Sequence, residues 1–289
     1  ANKMVGHRLA RSTYMKELIE EQKKKIQDKR ERSALWDSWV RKSQKPAEEM
    51  IERSISSYLK EAAKRYEKRI KNYVIEKQAS PQSIYRAVQN WQDLLAIVED
   101  FLLQKKLGRS WLSVWSLTGN DELDKVYRFV NKERPLDLVF GDRRPAVQLI
   151  ENTSMNITRT TADLIRKEVD NGLINGLSVD EIAFKIKQGS AFSIGRAKRI
   201  ARTESTKAVN FASSQAYSTA QAQGINIKKQ WLSAADDRVR ETHQDLDKTI
   251  IDVNDEFKIG TYSAPSPAMF GEVEEDVNCR CTIVPIIID

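Results

Sequence analysis

His243, Cys279 and Cys281 are the residues whose types could bind a metal or act as nucleophiles. Both cysteines of the chain sit in one five-residue stretch, VNCRC, at Val277–Cys281, behind the acidic residues Glu272, Glu274, Glu275 and Asp276. Three chemistries compete for such a pair. Zinc takes four ligands from Cys, His and carboxylate side chains, and His243, Cys279, Cys281 and Asp236 would supply them. The spacing is unusual for that use, because zinc clips commonly place two to four residues between paired cysteines and here only Arg280 intervenes. A redox pair is the second option, but a disulfide across one residue closes a strained ring, and thioredoxin-type motifs have two intervening residues. The third is a structural corner in which the thiols pack as small apolar groups. In an extended segment alternate side chains share a face. Cys279 and Cys281 would then turn together toward His243, and Arg280 would turn away toward Asp236 or Glu241.

The carboxylates offer another chemistry. Asp236, Asp237, Glu241 and Asp245 could hold Mg²⁺ for phosphodiester cleavage, since hard cations take carboxylate oxygens. If the stretch from Asp237 to Asp245 is helical, three of these acids share one face. Arg238 and Arg240 lie close enough to neutralise them. No Gly-rich phosphate loop, Gly-x-Ser-x-Gly elbow or His-Glu-x-x-His helix occurs in the chain. A metal-dependent nuclease or transferase housed in the C-terminal part is therefore the enzymatic alternative to a non-enzymatic protein. Arg202 and Glu204, in ARTES, are expected to be buried and ion-paired. Residues two apart on a helix do not face each other, so they would have separate partners.

Charge is distributed unevenly. Residues 1–80 carry 21 Lys and Arg against 12 Asp and Glu, whereas residues 231–289 carry 5 against 13. A basic body joined to an acidic C-terminal piece points to an anionic partner such as DNA for the former and a protein for the latter. Lys60, Lys64 and Lys68 recur on one helical face and are the DNA-contact candidates. The second histidine, His7, lies in the basic N-terminal run. No apolar run is long enough to span a membrane, the N-terminal stretch has no apolar signal-peptide core, and two cysteines suit a reducing compartment.

The elements that must position these residues are mainly helices. Glycine is nearly absent before Gly108, and Pro46 and Pro81 each suit a first helical turn. The helix from Pro46 has an apolar stripe, Met50, Ile51, Ile55, Tyr58, Leu59, Ala62, Tyr66, Ile70, Tyr73 and Val74, at helical spacing. Gly108 is read as the stop of the helix from Pro81, and Gly119-Asn120 as a turn. A second helical group opens near Pro145. Ser178 and Glu181 form a capping box, Gly189 is a stop, Ser193 an N-cap and Gly224 a C′ residue. Ala197, Ala201, Ala208, Ala212, Ala216 and Ala220 form a stripe of small residues suited to close helix packing. Beyond Gly224 come short apolar pieces, IKKQWL, TIIDV and CTIVPIII, with one short helix over 236–246. The expected fold is mainly α with long basic helices N-terminally and a small C-terminal α+β module. Its parts are a basic helical region 1–140, a further helical region 141–225, and an acidic α+β module 226–289.

In order and rough spacing, GLSVDEIAFKI, IARTESTKAVNFA, WLSAADDRVRETHQDLD and VNCRCTIVPI resemble the phage head morphogenesis family, the Mu F-like minor head proteins. The resemblance covers about residues 170–285. Its residues are Arg202, Thr203, Glu204, Asn210, Trp231, Asp236, Arg238, Arg240, His243, Phe257, Pro265, Pro267, Asn278, Cys279, Arg280 and Cys281. One departure is Asp247-Lys248, where members usually carry Asp-Gly or a similar turn. The resemblance implies a low-copy virion component inside the head near the portal, present in the host cytoplasm during assembly. Its implied partners are the portal protein, DNA, and the major capsid or scaffolding protein, with possible departure alongside the genome. It implies no enzyme and no obligatory cofactor. Arg202, Glu204, Asn210, Arg238, Arg240 and Asn278 would form a polar cluster around the cysteine corner, with zinc as an optional occupant.

Overall fold

A computed structural model describes residues 28–77, 81–136, 138, 140–234 and 236–288. It is mainly helical with a small C-terminal sheet, the expected class. Helix α1 (Lys29–Trp39) is capped by Asp28, whose side chain accepts from the Arg30 and Glu31 amides, and runs through a π-helical turn (Val40–Gln44) into α2 (Lys45–Lys77). Next come α3 (Pro81–Phe129), α4 (Arg144–Ile174), α5 (Val179–Gln188), a 3₁₀ turn (Ser190–Phe192) and α6 (Ile194–Ala222). The C-terminal part is β1 (Ile227–Leu232), α7 (Glu241–Asp245), β2 (Ile250–Asp252), β3 (Phe257–Ile259), β4 (Tyr262–Ala264), α8 (Val273–Asp276) and β5 (Thr282–Ile287).

The chain forms two compact units, neither of them continuous in sequence. One holds the described residues up to Glu48, Ser113–Asp142, and the chain from Thr203 onward; the other holds Glu49–Leu112 and Arg143–Arg202. The consecutive division expected from composition does not coincide with these units.

The second unit is helical throughout. Ile51, Ile55, Tyr58, Leu59, Ala62 and Ile70 of the α2 stripe are buried. Arg65 grips the buried Glu99 of α3 with two hydrogen bonds of 2.8 and 2.6 Å. The capping box of α5 is complete: the Ser178 hydroxyl accepts from the Glu181 amide, and the Glu181 carboxylate accepts from the Ser178 amide. Buried Arg196 donates to the Ala191 and Ile157 carbonyls, and burial draws its pKa down to about 10.

Two sequence expectations fail in α3. It passes through Gly108 without stopping, and Gly119-Asn120 lies inside it instead of in a turn. Gly119 is there for packing: a Cβ would fall within the Phe140 ring, which lies 4.5 Å from the Trp115 ring. Glycine thus allows close approach here, with no need for its freedom at positive φ.

In the first unit, a three-stranded antiparallel sheet of order β2-β1-β5 pairs Trp231 with Ile283 and Leu232 with Thr282. Pro285 lacks a donor but is tolerated because β5 is an edge strand. Strand β1 is buried along nearly its whole length, and even Lys229 is fully buried there. The Lys229 ammonium donates to the Pro265 carbonyl at 2.7 Å above the Phe257 ring, and burial draws its pKa down to about 8. The hairpin β3-β4 turns at Gly260, whose φ is +57°.

Candidate functional site

A helix, two turns and a strand build the corner around the cysteines. On α6, Thr203, Thr206 and Asn210 are spaced to face one way. The Thr203 hydroxyl accepts from the Asn278 amide at 3.1 Å, and the Thr206 hydroxyl donates to the Cys279 carbonyl at 3.2 Å. The Asn210 amide nitrogen donates to the Cys281 carbonyl at 3.0 Å, while its oxygen accepts from the Thr282 hydroxyl at 2.8 Å and the Ile283 amide at 3.3 Å. All three side chains belong to buried residues, so their bonds meet no competition from solvent. The backbone from Asn278 to Ile283 is thereby fixed by side chains of one helix.

Asn278 adopts φ +58°, a left-handed conformation that Asn tolerates better than most residues. The preceding Val277 carbonyl accepts from Arg240. Cys279 and Cys281 form the extended approach to β5 and are not in the strand itself. Both sulfurs nonetheless face His243, and Arg280 between them reaches Asp236 with its two terminal guanidinium nitrogens, one at 2.7 Å. That guanidinium holds the Asp236 carboxyl well below the usual carboxylate range. From α1, the Trp36 indole donates to the Arg280 carbonyl at 2.7 Å.

His243 lies on the one-turn helix α7 and is 1% exposed. Its Nδ1 is 3.6 Å from Cys279 Sγ and 3.5 Å from Cys281 Sγ. Its Nε2 lies 3.0 Å from Glu275 Oε2, close enough for an ion pair but without hydrogen-bond alignment. Thr242 donates to that same Glu275 oxygen at 2.9 Å. The Trp231 ring meets the His243 ring edge-on at 5.3 Å. Both thiols are free and buried. They titrate as a pair: hydrogen bonding from Cys281 holds Cys279 well below the usual thiol range, and the same contact, with burial, pushes Cys281 well above it.

The donor atoms of His243, Cys279 and Cys281 lie within 4.8 Å of one another, and these three could hold a metal ion. Asp236 stands apart from them on Arg280 and Arg238, the latter exposed. Asp237, Glu241 and Asp245 do not share a helical face, because the helix begins only at Glu241. Glu204 is buried beside Lys207 at 3.2 Å, but Arg202, expected to be buried, is exposed. Lys60, Lys64 and Lys68 are exposed on α2 in the other unit, and His7 lies outside the described residues.

Several contributors went unnoticed in the sequence. Thr206 could have been found from its spacing to Thr203 and Asn210. Arg32 of α1 is buried, paired with Asp247 and donating to Gln230 at 3.3 Å. Nothing local marks it or Trp36, because their partners lie about two hundred residues away.

Residues 163–284 match the family model described as Phage Mu protein F like protein. The chain is 30% identical over 168 residues to the minor head protein GP7 of Bacillus phage SPP1, covering 57% of this chain and 50% of that protein. It is 42% identical over 126 residues to the NAD(+)--arginine ADP-ribosyltransferase EFV of Enterococcus faecalis, covering 44% of this chain and 26% of the enzyme. It is 31% identical over 134 residues to the uncharacterized protein YqbB of Bacillus subtilis, covering 44% of this chain and 42% of that protein. The chain thus spans half or less of the length of these relatives. No solved structure gives a significant match.

Proposed function

We propose that this chain is a minor head protein of a phage particle, acting in head assembly inside the head at the portal vertex. The observation that carries this is the Mu F-like domain at residues 163–284, together with the likeness to a phage minor head protein over 168 residues. The partners are the portal protein, the encapsidated DNA, and the major capsid or scaffolding protein, and the chain leaves with the genome. The DNA role is supported by the exposed lysines Lys60, Lys64 and Lys68 at four-residue spacing on α2. Such phosphate contacts are sequence-independent and weaken with salt. The acidic C-terminal part suits a protein surface of opposite charge. No helix among the described residues is long and apolar enough to cross a membrane.

The test is assembly in the presence and absence of portal protein. Portal-containing heads should carry the chain, and heads assembled without portal should lack it. Absence from both overturns the proposal. On immobilised DNA, reversing Lys60, Lys64 and Lys68 to Glu should reduce retention and flatten its dependence on salt. An unchanged salt slope removes DNA from the partners.

A second function, transfer of ADP-ribose from NAD⁺ to arginine, is raised by the 42% identity to an enzyme of that name. The shared stretch is a quarter of that enzyme, about the length of the Mu F-like domain itself, so the identity supports a shared domain more than a shared activity. Release of nicotinamide from NAD⁺ by the purified chain, with a small guanidine compound as acceptor, would favour the enzyme.

A further inference from the structure

We propose that His243, Cys279 and Cys281 bind one thiophilic divalent cation of the zinc class, which clips the approach to β5 onto α7. This inference is independent of the role in head assembly. It rests first on geometry. A tetrahedral ion with zinc–sulfur and zinc–nitrogen distances of about 2.3 and 2.05 Å holds sulfur and nitrogen donors about 3.6 Å apart. His243 Nδ1 lies 3.6 and 3.5 Å from the two sulfurs. A single ring nitrogen has one in-plane lone pair or one N–H and cannot aim it at two sulfurs at once, but both sulfurs and that lone pair can aim at a common point.

The surroundings agree. With Nδ1 as the donor, the proton of neutral imidazole sits on Nε2, and the carboxylate of Glu275 lies 3.0 Å from that atom. A carboxylate near the outer ring nitrogen is the usual neighbour of a ligating histidine, and binding at Nδ1 would need only a small turn of the ring or of Glu275 to align the two. The Trp231 ring packs edge-on against His243 at 5.3 Å. Charge also balances: two thiolates and a neutral imidazole around a divalent cation give a neutral centre, which a buried site requires. Asp236, committed to Arg280, supplies no ligand. No fourth His, Cys, Asp or Glu joins the three among the described residues, so the assignment is of three protein donors. Binding converts two thiols into thiolates and releases their protons to solvent.

The test uses the full chain, purified without chelator and analysed for metal. About one zinc per chain is expected, lost when Cys279→Ser and Cys281→Ser are combined. To keep the test independent of the folding of that variant, the wild-type chain is also exchanged with Co²⁺. Tetrahedral ligand-field bands with a sulfur-to-cobalt charge-transfer band are expected, and His243→Cys should keep the ion while strengthening the charge-transfer band. A folded wild-type chain that binds neither zinc nor cobalt overturns the proposal. So does cobalt binding without the sulfur band, or metal content unchanged in the double serine variant.

Discussion

Asn210 and Cys281 are joined by a hydrogen bond of 3.0 Å from side-chain amide to backbone carbonyl, with both residues buried. The same side chain accepts from Ile283 N–H, so one asparagine satisfies the backbone on both sides of Thr282. Asn210→Leu would leave a buried carbonyl and a buried amide unpaired. Each orphaned group costs about 1–3 kcal/mol, so a loss of about 2–6 kcal/mol is expected in urea unfolding. An unchanged midpoint would show that α6 does not hold the corner.

Arg280 and Asp236 set an acid limit on the same corner. Asp236 titrates well below its ordinary value because Arg280 hydrogen-bonds to its charged form. A depressed carboxyl contributes stability that is present above the unfolded value, about pH 4, and lost as pH falls toward the folded value. Arg280→Met should therefore be less stable than wild type at pH 7, with the gap narrowing below about pH 4. The check is unfolding of both proteins from pH 7 to pH 2. A gap independent of pH would assign the effect of Arg280 to packing.

Much of the helical framework was legible, because it follows from local rules. The Ser178 box, the Ser193 cap, Gly224 at φ +82° and the alanine stripe of α6 all depend on neighbours within a turn or two, and all are present. The corner was legible only in part. The gathering of His243 with the cysteines was expected from their chemistry, and Arg280 facing Asp236 from alternation along the chain. The strand approach and the turn at Asn278 were not separable in the sequence. The docking of α1 through Arg32 and Trp36 leaves no local trace, since a buried arginine and a solvent-facing one look alike until their partners are placed. Arg202 shows the converse: apolar flanks suggested burial, but the helix turns that position outward.

Lys229 makes a prediction in the alkaline range. Burial lowers its pKa from 10.5 to about 8, so the unfolded chain binds its proton more tightly than the folded one does. Below about pH 8 both states are protonated and the burial penalty is complete; between about 8 and 10.5 it is relieved as pH rises. The wild-type protein should gain stability over that window relative to Lys229→Met, by at most about 3 kcal/mol. Comparing the two proteins, both with intact cysteines, separates this gain from thiol titration. A difference that stays flat from pH 7 to 10 would rule out the buried ammonium as its source.

The two glycines of α3 that resembled helix stops should respond in opposite directions to alanine. At Gly108 a methyl would meet Ile150 at 3.7 Å, an ordinary contact. Gly108→Ala should therefore stabilise by about 0.5–1 kcal/mol, the usual gain for replacing glycine within a helix. At Gly119 the same methyl would overlap the Phe140 ring, whose position is shared with Trp115. Overpacking should outweigh helix propensity there, and Gly119→Ala should destabilise by about 1–3 kcal/mol. Phe140→Ala removes the obstacle, at the cost of a cavity beside Trp115. In that background Gly119→Ala should become neutral or stabilising. A double-mutant cycle measured by thermal unfolding reads this sign change directly. If Gly119→Ala costs the same with and without the Phe140 ring, the glycine is serving some need other than close approach of the ring.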